Sequence, residues 1–377
     1  MSANESIRLF VDAHVFDGPH QGTRTFIKEI YSIISQKKEI LLFFGAFNID
    51  NLKTIFDKRE NVFFIKYKSP SSLFRLVYDI PAIIKKYKID FAHFQYISPL
   101  TKKCKYIVTT HDVIFEEYPK EFSRFFRFTR FWMYRQSALK ANIITTVSNY
   151  SKMSIIKYFG IKPDLIHIIP NGINPAFFEP YDKQESKKFI SMKFGFDKFI
   201  LYVSRVEPRK NHFVLLSAYL DLRLYSKGYH LVLLGHKSIS VPEFDALIAK
   251  LPGDIRHYIL IISDLNDEYL LRFYQAATLF VYPSKAEGFG IPPLEAGALK
   301  IPVICSNASA LKEFSFFGAG HINPDKEGLL KNAITAQLTL PTNENLLNQV
   351  AEIIRNDYSW TRSAEHFYSL IKNPPSE

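Results

Sequence analysis

Leu279-Phe-Val-Tyr-Pro-Ser-Lys-Ala-Glu-Gly-Phe-Gly-Ile-Pro-Pro-Leu-Glu-Ala296 is the stretch that decides how this chain folds. Its four apolar residues, Leu279–Tyr282, read as a buried strand, and a loop bearing Gly288 and Gly290 follows. Pro292 suits the first position of a helix, where its missing N–H does no harm. A strand, a glycine-bearing loop and a helix N-terminus together form an anion site. The free amides of Phe289, Gly290 and Ile291 point at the ligand, and the helix dipole favours a phosphate. Glu287 falls in the loop and Glu295 in the first helical turn. Carboxylates make poor neighbours for a phosphate but good acceptors for sugar hydroxyls. The plainer alternative is a capped core helix with solvated acids.

The same grammar recurs at Phe199-Ile-Leu-Tyr-Val203, followed by Ser204-Arg205-Val206-Glu207-Pro208-Arg209-Lys210-Asn211. Arg205 comes directly after the strand and Lys210 at the opening of the next helix. A guanidinium fork beside a point charge suits a diphosphate. Cations at a helix N-terminus oppose the dipole, so a bound anion is expected to compensate. Arg209 reads equally well as a solvated surface residue.

Working outward, short β-branched and aromatic runs alternate with helical patterns along the whole chain. Strands are expected at 8–12, 40–44, 62–67, 91–94, 106–109, 143–146 and 166–169, and again at 199–203, 230–234, 258–262, 279–282 and 302–305. Helical periods fill 23–35, 122–139, 186–193, 211–226 and 267–277. Such alternation predicts parallel sheets built from βαβ units, and two sets predict two doubly wound α/β domains. Pro170-Asn171-Gly172-Ile173-Asn174-Pro175 and Phe178-Glu179-Pro180 interrupt the pattern and mark the boundary. The expected domains are 1–178 and 179–357. Ligands of such sheets bind beyond the carboxyl ends of strands, so the natural site is a cleft between the two. The tail after Lys372 is expected to fray.

In the first half, His111 and Asp112 follow the strand ending at Thr109. Either Asp112 orients the imidazole or His111 offers a nitrogen to a ligand hydroxyl; a structural pair is as common. The loop Phe16–Arg24 brings the amides of Gly22 and Thr23 to a helix start, a second candidate phosphate contact. Arg124, Arg127 and Arg130 recur every third residue among Phe125, Phe128, Phe131 and Trp132. That helix either lies on an anionic membrane surface or packs its aromatics inward with solvated arginines.

The 377 residues carry a formal charge of +11. Residues 1–180 hold 26 Lys+Arg against 16 Asp+Glu, and the remainder 22 against 21, so the surplus sits in the first half. An anionic partner of that half follows, whether nucleic acid, phospholipid or phosphorylated substrate. No nucleic-acid recognition motif accompanies it, and no Gly-x-Gly-x-x-Gly follows a strand, which disfavours a dinucleotide oxidoreductase. Cys104 and Cys305 are too few for a disulfide framework or a cysteine zinc site. The N-terminal stretch has neither a basic n-region nor a long apolar core. A cytoplasmic protein with at most peripheral membrane contact is expected.

Taken together, Gly22-Thr23-Arg24, His111-Asp112, Val147–Lys152, Ile169–Gly172, Ser204–Asn211 and the Glu287-x7-Glu295 pair resemble the GT-B glycosyltransferases of retaining family 4, also called glycosyl transferases group 1. The wording is most similar to bacterial mannosyltransferases of O-antigen and other surface-polysaccharide assembly. The resemblance implies two Rossmann-like domains facing across a cleft, with a C-terminal helix in 358–377 crossing back to the first. It implies that Arg205 and Lys210 hold the donor diphosphate, and that Glu295 accepts from the ribose. By the same likeness Glu287 and His111 contact the donor sugar, while Gly288, Phe289, Gly290 and Ile291 line the donor site. Paired glycines are common in the family's first loop; here Gln21-Gly22-Thr23 stands instead. With no Asp-x-Asp in a metal-binding loop, Arg205 and Lys210 can replace a divalent ion, so neither metal nor cofactor is expected. The implied reaction is retaining transfer of a hexose, mannose from GDP-mannose first, to a saccharide acceptor that is lipid-linked. A UDP- or dTDP-sugar donor and a non-catalytic scaffold are the alternatives.

Overall fold

The computed structural model describes residues 6–374 apart from 19–20, 57–58 and 342. The chain forms two compact units, one running up to Gly172 and resuming at Trp360, the other Ile173–Ser359.

The first unit is built on seven strands: β1 (Ile7–Asp12), β2 (Ile40–Ala46), β3 (Val62–Lys66), β4 (Phe91–Gln95), β5 (Lys105–Thr109), β6 (Ile143–Thr146) and β7 (Ile166–Ile168). They pair in the order β3-β2-β1-β4-β5-β6-β7, parallel throughout. Such a sheet is covered on both faces, so its strands are near-continuous apolar runs rather than alternating ones. Every residue of β4 and β6 is buried. The helix Gly22–Ile34 buries Phe26, Ile27, Ile30, Tyr31 and Ile34, a stripe at helical spacing. On this unit also packs the helix Trp360–Lys372. Trp360 meets Phe26 and Phe367 meets Tyr31 edge-on, with centroids 6.2 and 6.1 Å apart. Ser363 Oγ donates to the Pro170 carbonyl at 2.6 Å. A Cβ on Gly172 would stand 2.3 Å from the Trp360 nitrogen, so the chain passes this helix only as glycine. The end of the expected fraying tail, beyond Pro374, lies outside the described residues.

The second unit carries β8 (Phe199–Val203), β9 (His230–Leu234), β10 (Ile259–Ile262), β11 (Leu279–Tyr282), β12 (Val303–Ser306) and β13 (His321–Ile322). Their order is β10-β9-β8-β11-β12-β13, again all parallel. Two expectations shift. The helix foreseen over 211–226 begins at His212 and stops at Asp221, because Asn211 and Arg223 take left-handed backbone at φ +62° and +47°. The helix foreseen from 122 begins at Arg124, where the Ser123 hydroxyl accepts from the Phe126 amide at 3.2 Å and fixes its start. The turn Pro175–Phe178 belongs to this unit, with the Phe177 ring edge-on to Tyr274.

Candidate functional site

In the second unit the strand order reverses between β8 and β11, the point at which open α/β sheets leave a crevice at their carboxyl edge. The loops leaving these two strands are tied together there. Asn211 Nδ2 donates to the Pro283 carbonyl at 3.2 Å, and the Lys285 amide to the Arg209 carbonyl at 2.8 Å. Tyr202 holds the Lys210 carbonyl at 2.6 Å. Lys210 Nζ lies 2.5 Å from Glu287 Oε1, which also accepts from the Tyr282 hydroxyl at 2.9 Å. Glu207 bridges Arg209 at 2.6 Å and Arg205 at 3.2 Å. Arg209 is not a solvated residue: its side chain is 11% exposed, and it donates to the Ala286 carbonyl at 2.8 Å besides reaching Glu287 at 3.6 Å. Arg205 stays half exposed, at 49%.

Three cations therefore meet two buried carboxylates. The charge expected to need an external anion is offset largely from within, by Glu207 and Glu287. Glu287 is thus a partner of Lys210 before it is anything else, and one positive charge remains over. Burial pushes the Lys210 ammonium down to about 8 against the pull of Glu287. Burial also opposes ionisation of Glu287, but Lys210 and then Arg209 outweigh it and hold that carboxyl below its ordinary value. Both groups are charged at neutral pH.

Beyond β11 the helix Ile291–Ala298 starts one residue ahead of Pro292, which occupies its second position. Gly290 sits at φ +106°, and a Cβ there would stand 2.3 Å from Leu311 Cδ2. Among the described residues the amides of Phe289 and Gly290 meet no protein acceptor. The Phe289 ring packs against Phe314 and Tyr358, and Gly288 joins Glu287 to this turn. Glu295 falls in the second helical turn rather than the first. The Tyr274 hydroxyl donates to it at 2.7 Å. Burial raises its carboxyl to about 7, with the Tyr274 bond pulling the other way. Cations, unspent amides and an acid that titrates near neutrality can together bind an anion and hydroxyl groups.

In the first unit His111 is buried at the carboxyl end of β5. Its Nε2 pairs with Gln95 Oε1 at 2.5 Å, and Gln95 Nε2 reaches His93 Nε2 at 3.1 Å. His93 Nδ1 pairs with the Tyr31 hydroxyl at 2.6 Å. Gln95 thus takes the place proposed for Asp112, whose carboxylate accepts from the Ile114 amide at 3.2 Å. Burial pushes both imidazoles down to about 3, so they are neutral. Gly22 opens its helix with no side-chain cap before it, and among the described residues the buried Thr23 hydroxyl has no partner; Pro19 and His20 of that loop lie outside the described residues. Ser148 caps the helix Asn149–Phe159, so the Val147–Lys152 motif starts a helix. The arginine stripe divides: Arg127 turns inward to the Phe115 carbonyl and Glu116, and Arg130 lies over the Phe126 ring. Phe125 and Phe128 are the most exposed apolar side chains of this helix, at 79 and 65%, and Phe126, Trp132, Met133 and Leu139 are exposed as well.

The family model described as glycosyl transferases group 1 matches residues 183–355, and the one described as glycosyltransferase family 4 matches residues 43–177. The chain belongs to this glycosyltransferase family. The O-antigen chain mannosyltransferase B of Escherichia coli is 28% identical over 302 residues, 75% of this chain and 77% of that enzyme. The O-antigen chain mannosyltransferase RfbU of Salmonella typhimurium is 28% identical over 236 residues, 62% of this chain and 61% of its own length. Sucrose-phosphate synthase from Thermosynechococcus elongatus superposes with a TM-score of 0.78 at 17% identity, covering 97% of this chain and 98% of that one. The fold is GT-B, with two parallel-sheet α/β units, and the protein is a glycosyltransferase of the hexosyl-transferring kind.

Within the glycosyltransferase, Glu207, Gln95 and His93 go beyond the residues that the sequence singles out, and Arg209 resolves to a buried ion-pair residue. Two polar residues in one short apolar strand, His93 and Gln95, are the signal that could have found the last pair. Among the described residues no group of three or more His, Cys, Asp or Glu is placed to hold a metal ion, and no helix is long and apolar enough to cross a membrane. A cavity of about 1130 Å³ lined by Phe177, Tyr181, Lys183, Lys300 and Arg355 holds none of the candidate residues.

Proposed function

We propose that this enzyme moves mannose from GDP-mannose to a lipid-linked saccharide in surface-polysaccharide assembly, with retention, at the cytoplasmic face of a membrane. The observation that carries the reading is the gathering of Arg205, Arg209 and Lys210 about Glu207 and Glu287, just before the unspent amides of Phe289 and Gly290, at the strand reversal of the second unit. A nucleoside diphosphate leaving group gains negative charge as the glycosidic bond breaks, and fixed cations and amides stabilise that charge most. In this reading Arg205 and Lys210 hold the diphosphate, Ile291 and Gly288 complete the amide lining, and Gly22 and Thr23 add a phosphate contact. Glu287 keeps Lys210 charged and has the donor sugar as its second partner, with His111 as another contact to that sugar. The leaving phosphate takes the acceptor proton. Mannose is favoured by the activities named for the Escherichia coli and Salmonella relatives.

A panel of GDP-, UDP- and dTDP-sugars, scored by thermal shift and by release of nucleoside diphosphate, tests the donor. GDP-mannose should give the largest response, and EDTA should leave it unchanged because the cations do the work of a divalent ion. A preference for a UDP- or dTDP-sugar overturns the donor, and loss of turnover in EDTA overturns metal independence.

Glu295 supplies a pH test. Only its carboxylate accepts from two ribose hydroxyls at once, and its value near 7 means that half the free enzyme is ready at that pH. Donor Kd should therefore rise about fivefold from pH 8 to pH 6, the loss of Glu295 charge outweighing the gain of Lys210 charge, and Glu295→Gln should bind more weakly with a slight slope of the opposite sign. An equal slope in the variant sinks the assignment.

Membrane contact rests on the helix Arg124–Lys140, its exposed aromatic side chains and the exposed Arg124. Each apolar side chain moved from water into the interface contributes about 1.5–3 kcal/mol. Phe125→Ser/Phe128→Ser should lower co-sedimentation with anionic vesicles at least about tenfold. Unchanged co-sedimentation would remove this helix from the contact.

A further inference from the structure

We propose that Arg75, held in place by Asp12, binds the phosphate end of an acceptor that also carries a hydrocarbon chain; this rests on the reading above of a lipid-linked acceptor. Asp12 ends β1, beside the reversal of strand order between β1 and β4, and is wholly buried. Its Oδ1 accepts from the Tyr67 hydroxyl at 2.7 Å and lies 3.2 Å from His14 Nδ1. Its Oδ2 lies 3.4 Å from Arg75 Nε, and both of those atoms are buried with no hydrogen bond among the described residues. A buried ion pair of this kind is poor value for stability, since apolar residues of the same volume do as well. What it does achieve is orientation. The Asp12 charge holds the Nε edge of Arg75 at 3.4 Å, and among the described residues its two terminal nitrogens meet no protein acceptor. A guanidinium fork left unspent at the carboxyl edge of a parallel sheet is suited to a phosphate.

The backbone supports the same reading. Arg75–Asp79 forms a π-helical turn between Ser72–Phe74 and the helix Ile80–Tyr87. Such turns are rare and concentrate at functional sites. The buried Asp79 carboxylate accepts from the Lys68 amide at 3.0 Å and ties the turn to the end of β3. Around Arg75 the turn exposes apolar side chains: Leu73 at 71%, Val77 at 46% and Tyr78 at 62%. Lys66 and Lys68, on either side of Tyr67, are exposed as well. A fork for an anion beside an uncovered apolar turn matches an amphiphile, and free phosphate would leave the apolar part unused.

Calorimetric titration of the full chain with farnesyl diphosphate, farnesol, inorganic pyrophosphate and phosphatidylglycerol vesicles tests this. Farnesyl diphosphate should bind about tenfold or more tighter than farnesol or pyrophosphate. Arg75→Lys, which keeps the charge and loses the fork, should weaken it about tenfold. The double variant Asp12→Asn/Arg75→Met, which removes both buried charges together, should do the same with an unchanged circular dichroism spectrum. Leu73→Ser/Val77→Ser should weaken farnesyl diphosphate and leave pyrophosphate alone. Farnesyl diphosphate binding that is absent in the wild type, or equal in the Arg75 variants, overturns the proposal. Vesicle binding that needs Arg75 without any binding of farnesyl diphosphate overturns it in favour of a membrane headgroup. The thermal shift with GDP-mannose, run on the same variants, separates the two readings: if it persists while the diphosphate arm fails, only the acceptor site falls.

Discussion

Arg205→Ala should lower turnover by about two to three orders of magnitude, the loss that follows removal of one fixed charge-stabilising donor, and leave the protein as stable as before. Its side chain is half exposed and the buried Glu207 keeps Arg209 at 2.6 Å, so the lost pair contributes about 1 kcal/mol at most. Lys210→Ala should match that loss of turnover and add a loss of stability. Lys210 and Glu287 are both buried, so the substitution leaves a carboxylate with only Arg209, at 3.6 Å, as cationic partner. Breaking a buried pair from one side costs about 3–5 kcal/mol. Steady-state turnover with the best donor of the panel, beside thermal denaturation of both variants, separates the two contributions. Turnover of Arg205→Ala within threefold of the wild type would remove this group from the leaving-group site.

The strands were legible because parallel β-structure covered on both faces needs unbroken apolar runs, and these stand out between helical periods. All twelve expected strands lie within two residues of their places. The thirteenth, His321–Ile322, is two residues long and held by one neighbour, so no local pattern announces it. The positions of the candidate residues were legible where they follow a strand directly, as at Arg205, Lys210 and Glu287. The site was not legible where a side chain's partner lies far off in sequence. Arg209 stays open between a solvated and a site residue until Glu207 and Ala286 are placed around it, and a reading of residue types alone assigns Glu287 to a sugar. Only the fold shows that Lys210, 77 residues away, has first claim on it. The same holds for Asp12 and Arg75, which no spacing rule would join. Residue type and local spacing say what a group can do; tertiary partners decide which of those things it is free to do.

Glu287→Gln tests that last point, because the two roles open to Glu287 predict different pH profiles. If the carboxylate served a sugar hydroxyl alone, its amide would weaken the donor at every pH alike. If it keeps Lys210 charged, the amide removes the main force that holds the ammonium's value as high as about 8. Burial then pulls Lys210 further down, through the physiological range. The sign follows directly: a lysine is charged below its pKa, so the variant should recover activity toward acid pH and lose it about tenfold for each unit above the new value. The wild type should hold its activity up to about pH 8 before falling. Glu295 loses its charge below about 7, so acid recovery is best read from the ratio of variant to wild type at each pH. That ratio should climb as pH falls from 8 to 6. A flat ratio would show that Lys210 stays charged without Glu287 and would return the carboxylate to the donor sugar. A climbing ratio would make the pair a unit, with Lys210 meeting the leaving group and Glu287 the reason it can.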